Sequence, residues 1–149
     1  MNRKEAREIA LHLVFGMEFR SFSADEVLSD YLDKGIMESV GSDVALYAKE
    51  LDEKQFRYIR GIVIGIADHL SELDALIEQN ARGWSMKRIS RITMAVLRLA
   101  IYEMQYVEDV PTSVAINEAV NLAKAYETED TGTFVNGILG AISRAQGFA

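Results

Sequence analysis

Cysteine is absent from the 149 residues, so the chain forms no disulfide and no thiolate metal site, and a reducing compartment suits it. Proline occurs once, at Pro111, and clusters of turn-forming residues are scarce, which favours helix over a strand-and-turn architecture. The two histidines, His12 and His69, stand far apart without acids at metal-ligand spacing, so no metal site is expected. Long apolar runs are missing too. Arg60 and Asp68 interrupt the stretch from Ile59 to Leu70, and Arg98 and Glu103 interrupt that from Ile92 to Met104. Met1 to Glu5 carry no apolar signal-peptide core, and a cytoplasmic protein is expected. Neither a Walker loop, nor a strand followed by GxGxxG, nor a G-x-S-x-G elbow is present. Nucleotide, dinucleotide and hydrolase chemistry therefore have no anchor, and the chain is expected to be no enzyme and to hold no cofactor.

An excess of basic charge is also lacking. Lys and Arg number 16 against 23 Asp and Glu, a net charge of −7, which argues against a general nucleic-acid coat. Charge is unevenly spread, however. Residues 22 to 53 hold nine acids and two lysines, whereas residues 82 to 98 hold Arg82, Lys87, Arg88, Arg91 and Arg98 and no acid. An acidic protein can keep a local basic surface in this way.

What is present is helical patterning. Hydrophobic residues form 49% of the chain and charged residues 26%, the balance of a globular protein with one sizeable core. An all-α single domain over residues 1–149 is expected. A first helix is predicted from Arg3 to Phe19, with Ile9, Leu13 and Met17 on one stripe and Ala6, Ala10 and Val14 beside it. Arg3, Lys4 and Arg7 project from its first turns, where cations oppose the helix dipole. Ser23-Ala24-Asp25-Glu26 matches a capping box for a second helix reaching about Met37, and Glu38 to Leu51 reads as loop. Asp52 and Gln55 mark the start of a long core helix whose pattern runs from Phe56 through Leu70 and on to Leu73, Leu76 and Ile77. Within it, Gly61-x-x-x-Gly65 reads as a place of close helix approach. Arg82-Gly83-Trp84-Ser85 then breaks the chain, with Ser85 as the next cap. The following helix, through Ile92, Val96, Leu99 and Tyr106, is apolar on most sides and belongs at the centre of the core. Pro111 starts another helix, and a polar turn from Glu127 to Thr133 precedes the last one, which carries Phe134, Val135, Ile138, Leu139 and Ile142.

The candidate surface is therefore the basic first helix with, in addition, the polar turn before the last helix. Cations near aromatics suit single-stranded RNA, since phosphates meet Lys or Arg while unstacked bases meet Phe or Tyr. A solvated basic face accounts for the same pattern.

Specific motifs go further. V-P-T-S-V-A-I-N-E-A-V-N-L-A-K-A-Y, from Val110 to Tyr126, and T-E-D-T-G-T-F-V-N-G-I-L, from Thr128 to Leu139, closely resemble the C-terminal signature of the NusB family. Ala6-Arg7-Glu8, Leu73 to Ile77, Gly83-Trp84-Ser85 and Ala95 to Glu103 match in family order, leaving only Phe22 to Leu51 anonymous. The resemblance implies about seven helices arranged as two small bundles, without catalysis. It further implies transcription antitermination during ribosomal RNA synthesis, by binding boxA RNA together with NusE, a small-subunit ribosomal protein, within a complex on RNA polymerase. Homodimerisation is a further expectation. By position, the family's RNA-contacting segments fall on Arg3, Lys4 and Arg7, and on Lys124, Tyr126, Asp130 and Phe134; Arg82 is added because a cation near that break could meet the same phosphates. Glu5 stands where relatives often carry another basic residue. Core packing also accounts for Phe134, and helix capping for Asp130. NusE contacts map near Phe15 and Thr93, where threonine replaces an acid of some relatives. Two other readings remain: a freestanding relative of the NusB-like domain of ribosomal RNA cytosine methyltransferases, acting in ribosomal RNA processing, and a helical protein-interaction module without RNA.

Overall fold

The computed structural model describes residues 1–32, 52–81, 83 and 86–148; Arg82, Ser85 and the loop expected over Glu38 to Leu51 lie outside the described residues, as does the end of the second helix beyond Leu32. Seven α-helices and no strand occur among the described residues, which is the expected all-α class. They divide into two units, Met1–Asp68 and His69–Ala149, in keeping with two small bundles.

In the first unit, α1 (Arg3–Met17) packs on α2 (Ala24–Leu32) and α3 (Glu53–Asp68), and α2 also meets α3. Helix α1 opens on a reciprocal cap: the Asn2 side chain accepts from the Glu5 amide at 2.8 Å, and the Glu5 carboxylate accepts from the Asn2 amide at 2.9 Å. The predicted stripe of Ala6, Ile9, Ala10, Leu13, Val14 and Met17 is buried. After a 3-10 turn at Glu18–Arg20, Ser21 and Phe22 take left-handed backbone angles, and the Phe22 amide closes on the Met17 carbonyl at 2.8 Å. Ser23 caps α2 through the Glu26 amide, and Asp52 caps α3 through the Gln55 amide, as their spacing predicts. Of the two glycines in α3, Gly65 is buried, but no described atom lies within 4 Å of a Cβ built on Gly61. Gly61 therefore shows no close approach among the described residues.

The helix read as continuous from Phe56 to Ile77 is broken at His69, whose φ of −111° and ψ of 17° leave the helical region. This residue is also where the second unit begins. Apolar periodicity carries on across the break, so the pattern alone does not reveal that Ile59, Ile62 and Ile66 fill one core while Leu73, Leu76 and Ile77 fill another.

In the second unit, α4 (Leu70–Asn80) leads through a 3-10 turn at Met86–Arg88 to α5 (Arg91–Tyr106), followed by α6 (Thr112–Tyr126) and α7 (Glu129–Gln146). Helix α5 packs on α4, α6 and α7, and every residue from Thr93 to Ile101 is buried, as expected of a central helix. Each fully buried Leu or Ile there contributes roughly 1.5–3 kcal/mol. Arg98, 6% exposed, reaches Asp74 of α4 by a two-pronged bond of 2.8 and 3.1 Å. One cation of the 82–98 run is thus spent inside the fold. At the other end of α5, the Glu72 carboxylate accepts from the Tyr106 hydroxyl at 2.9 and 3.0 Å and from Gln105 Nε2 at 2.7 Å, and faces His69 Nδ1 at 2.9 Å. Partial desolvation pushes its pKa up, but the hydrogen bonds from Tyr106, His69 and Gln105 outweigh it and hold the carboxyl below its ordinary value.

Pro111 sits at the N-cap of α6 with φ −61°, where its missing N–H costs nothing. Helix α7 ends on Gly147, whose φ of +70° lets the Phe148 amide reach the Ser143 carbonyl at 3.0 Å.

Candidate nucleic-acid interface

Two places gather the sequence-predicted residues, one in each unit. In the first, the start of α1 lies against the start of α3. Arg3 Nε donates to Gln55 Oε1 at 3.0 Å, and its guanidinium carbon stands 4.1 Å from the centre of the Tyr58 ring. Such stacking fixes a planar cation at a cost in entropy that an unsupported surface arginine does not bear. Lys4 is exposed. Arg7 is only 4% exposed, with its guanidinium 6.0 Å from the same ring, so it supports the basic face from within and presents little of itself at the surface. Glu5, out of place in a basic segment, has its explanation in the α1 cap. That Asn-x-x-Glu signal is legible in the sequence and was overlooked; Gln55 and Tyr58 have no local signal, because only tertiary packing brings them to Arg3.

The second place is built by two helix caps. Ser90 caps α5, accepting from the Thr93 amide at 3.2 Å, and its hydroxyl also donates to Glu127 Oε1. Thr128 caps α7 through the Thr131 amide at 3.1 Å. The polar turn is therefore shorter than its composition suggests: Asp130 and Thr133 ride on the first turns of α7 instead of preceding them, and Phe134 lies on that helix as expected. With Thr128 as cap, Asp130 is not the capping group. Its exposed carboxylate instead lines a cleft of about 430 Å³ together with Arg88, Glu127 and Phe134. Anions in a first helical turn are favoured by the dipole, which keeps Asp130 in place at little cost.

Lys124 and Tyr126, at the end of α6, are both exposed. A Cβ built on Gly132 would lie 2.7 Å from Lys124 Cγ and 3.0 Å from its Cε, so the lysine stem lies across the glycine. Only hydrogen at position 132 leaves room for that path. Phe134 is half-buried, part cleft wall and part packing.

Of the expected NusE contacts, Phe15 is half-buried and meets the exposed Phe19 edge to face at 5.3 Å. Thr93 is 4% exposed and its hydroxyl oxygen lies 2.9 Å from that of Ser90, so it serves the α5 cap at the floor of the cleft. The sequence reading did not single out Ser90, Glu127 or Gly132; Arg88 stood out only as one cation among five.

A family model described as the NusB family matches residues 4–144. The chain belongs to the NusB family. Similar curated proteins are the transcription antitermination proteins NusB of Acetivibrio thermocellus, 38% identical over 98% of this chain and 91% of that protein, and of Symbiobacterium thermophilum, 40% identical over 97% and 90%. Among solved structures, T. maritima NusB superposes with a TM-score of 0.79 at 34% identity, covering 97% of this chain and 92% of that one. A structure of antitermination factors NusB and NusE in complex with dsRNA superposes at 0.76 with 25% identity, covering 96% of each.

Within this NusB-family chain, T-E-D-T-G-T-F has a physical reading residue by residue. Thr128 starts the helix, Asp130 and Phe134 face the cleft, and Gly132 seats Lys124. The cleft's chemistry is mixed: an aromatic edge for stacking, one cation for phosphate, and two carboxylates able to accept from the amino groups of bases.

Proposed function

We propose that this chain binds boxA RNA as a single strand, jointly with NusE, and supports transcription of ribosomal RNA as part of the antitermination complex on RNA polymerase. The observation that carries this reading is the arrangement at the α6–α7 junction, where signature residues of the family seat Lys124 over Gly132 and line a cleft with Phe134, Asp130 and Arg88. Cation, aromatic and acceptor stand there in the combination that unstacked RNA bases require. Arg3 and Lys4 supply a second set of cations, with Tyr58 and Gln55 bracing Arg3 and the buried Arg7 near the same ring. Tyr126 adds an exposed ring beside Lys124 in sequence. Phe15 in the first unit and Thr93 in the second are retained as separate expected contacts for NusE.

On this reading the protein works by holding RNA and partner, with no catalytic step and no cofactor, in the cytoplasm; pairing with a second copy is a property to measure alongside. The test is a titration of the chain, with its cognate NusE, against boxA RNA and a scrambled RNA at matched salt. Preferential binding of boxA is expected, and equal binding of the two rejects the reading. Substituting Arg3 and Lys4 by alanine should weaken binding and lower its salt dependence, because each phosphate contact releases counterions.

A further inference from the structure

A second cleft, of about 720 Å³, lies along α7 beyond Phe134, with Asn80 at the end of α4 on its other side. Phe134 is common to both clefts, so its ring stands between them. Phe134, Gly137, Ile138, Ala141 and Arg144 recur at spacings of three and four, which places them on one helix face, and the two glycine and alanine positions keep that face low. The electrostatics of the two clefts differ. Among its lining residues the first has Glu127 and Asp130 against Arg88, whereas the second has Arg144 and no acid. A phosphate entering the first meets two carboxylates; entering the second, it meets a guanidinium alone. Gly140 helps hold that group: Arg144 Nη1 lies 3.2 Å from where a Cβ at position 140 would stand. Thr133 and Asn80 add polar atoms along the rim, the Asn80 amide nitrogen being held by the Leu76 carbonyl at 2.8 Å while its oxygen remains an acceptor.

We propose that this second cleft is a backbone subsite for single-stranded RNA, with Arg144 as its phosphate contact, and that the strand crosses Phe134 from one cleft into the other. Base amino groups then face Glu127 and Asp130, a base stacks on Phe134, and the adjoining phosphate meets Arg144. The inference rests on the RNA reading above and extends it to residues outside the family signature.

The experiment is a fluorescence anisotropy titration of the full chain with its NusE against boxA RNA at several salt concentrations, using wild type, Arg144→Ala, Arg144→Lys and Ala145→Glu. Residues 144 and 145 are exposed, and circular dichroism melts of each variant should match wild type. Loss of Arg144 should weaken RNA binding several-fold and reduce the slope of log K against log salt by about 0.7, the value of one single-strand phosphate contact. Lysine should restore the slope, and Ala145→Glu should weaken binding by bringing a carboxylate to the cleft. If Arg144→Ala binds RNA like wild type while Lys4→Ala does not, the subsite is overturned and the RNA reading stands. A loss confined to NusE affinity overturns it in favour of a protein surface. Failure of wild type to prefer boxA overturns both.

Discussion

At residue 132 stability and binding pull in opposite directions. Glycine in a helix interior costs about 0.5–1 kcal/mol relative to alanine, and position 132 lies in α7. Alanine there would place its Cβ 2.7 Å from Lys124 Cγ, near the root of the side chain, so Lys124 has to leave its rotamer. Gly132→Ala should therefore change the melting temperature little, the gain in helix propensity being offset by the lysine's shift, yet lower affinity for boxA RNA by displacing the lysine; a variant both stable and fully active would show that the position of Lys124 is unimportant. Arg3 is a different case. Stacked on Tyr58 and bonded to Gln55, it is placed by side chains more than fifty positions away in sequence, and no local reading of residues 3 to 7 could have told its setting from that of Lys4. Burial of Arg7 was likewise illegible, because three cations in five residues look alike until a neighbouring helix is in place.

At the scale of elements, caps and stripes were the most readable features. Ser23, Asp52 and Pro111 start helices where their chemistry says they should, and the buried stripe of α1 follows its periodicity. Two misreadings have separate causes. The turn before α7 looked longer because Glu129 and Asp130 are polar, although acids belong in a first helical turn once Thr128 has capped it. The break at His69 was hidden because apolar spacing continues through it. Around that break, the depressed pKa of Glu72 makes the link between α4 and α5 dependent on pH. A carboxylate whose pKa is lower in the folded chain adds stability above its unfolded pKa and loses it as pH falls through the folded value. The stability difference between wild type and Glu72→Gln in urea denaturation should thus be larger at about pH 7 than at about pH 3, and a constant difference would show the network to be idle. The effect should be modest, since the site is open to solvent. Deeper in the same pair of helices, Asp74→Ala should lower stability by removing the two-pronged bond to the buried Arg98, read from the same denaturation curves.

Across the whole molecule, a net charge of −7 limits how much of RNA affinity can come from phosphate attraction. The five cations Arg3, Lys4, Arg88, Lys124 and Arg144 would together give a salt slope of roughly −3.5 for a single strand at about 0.7 per contact. A much steeper slope in titrations of the chain without NusE would mean that other cations take part. On the proposed reading, specificity would rest largely on bases meeting Phe134, Glu127 and Asp130. The division of the chain after Asp68 has a consequence for its synthesis. The main pairings of α1 are with α2 and α3, all encoded before His69. Vectorial folding on the ribosome can therefore complete the packing among these three helices while the later ones are still being added. Arg3 can thus come to rest on Tyr58 before Phe134 has been translated.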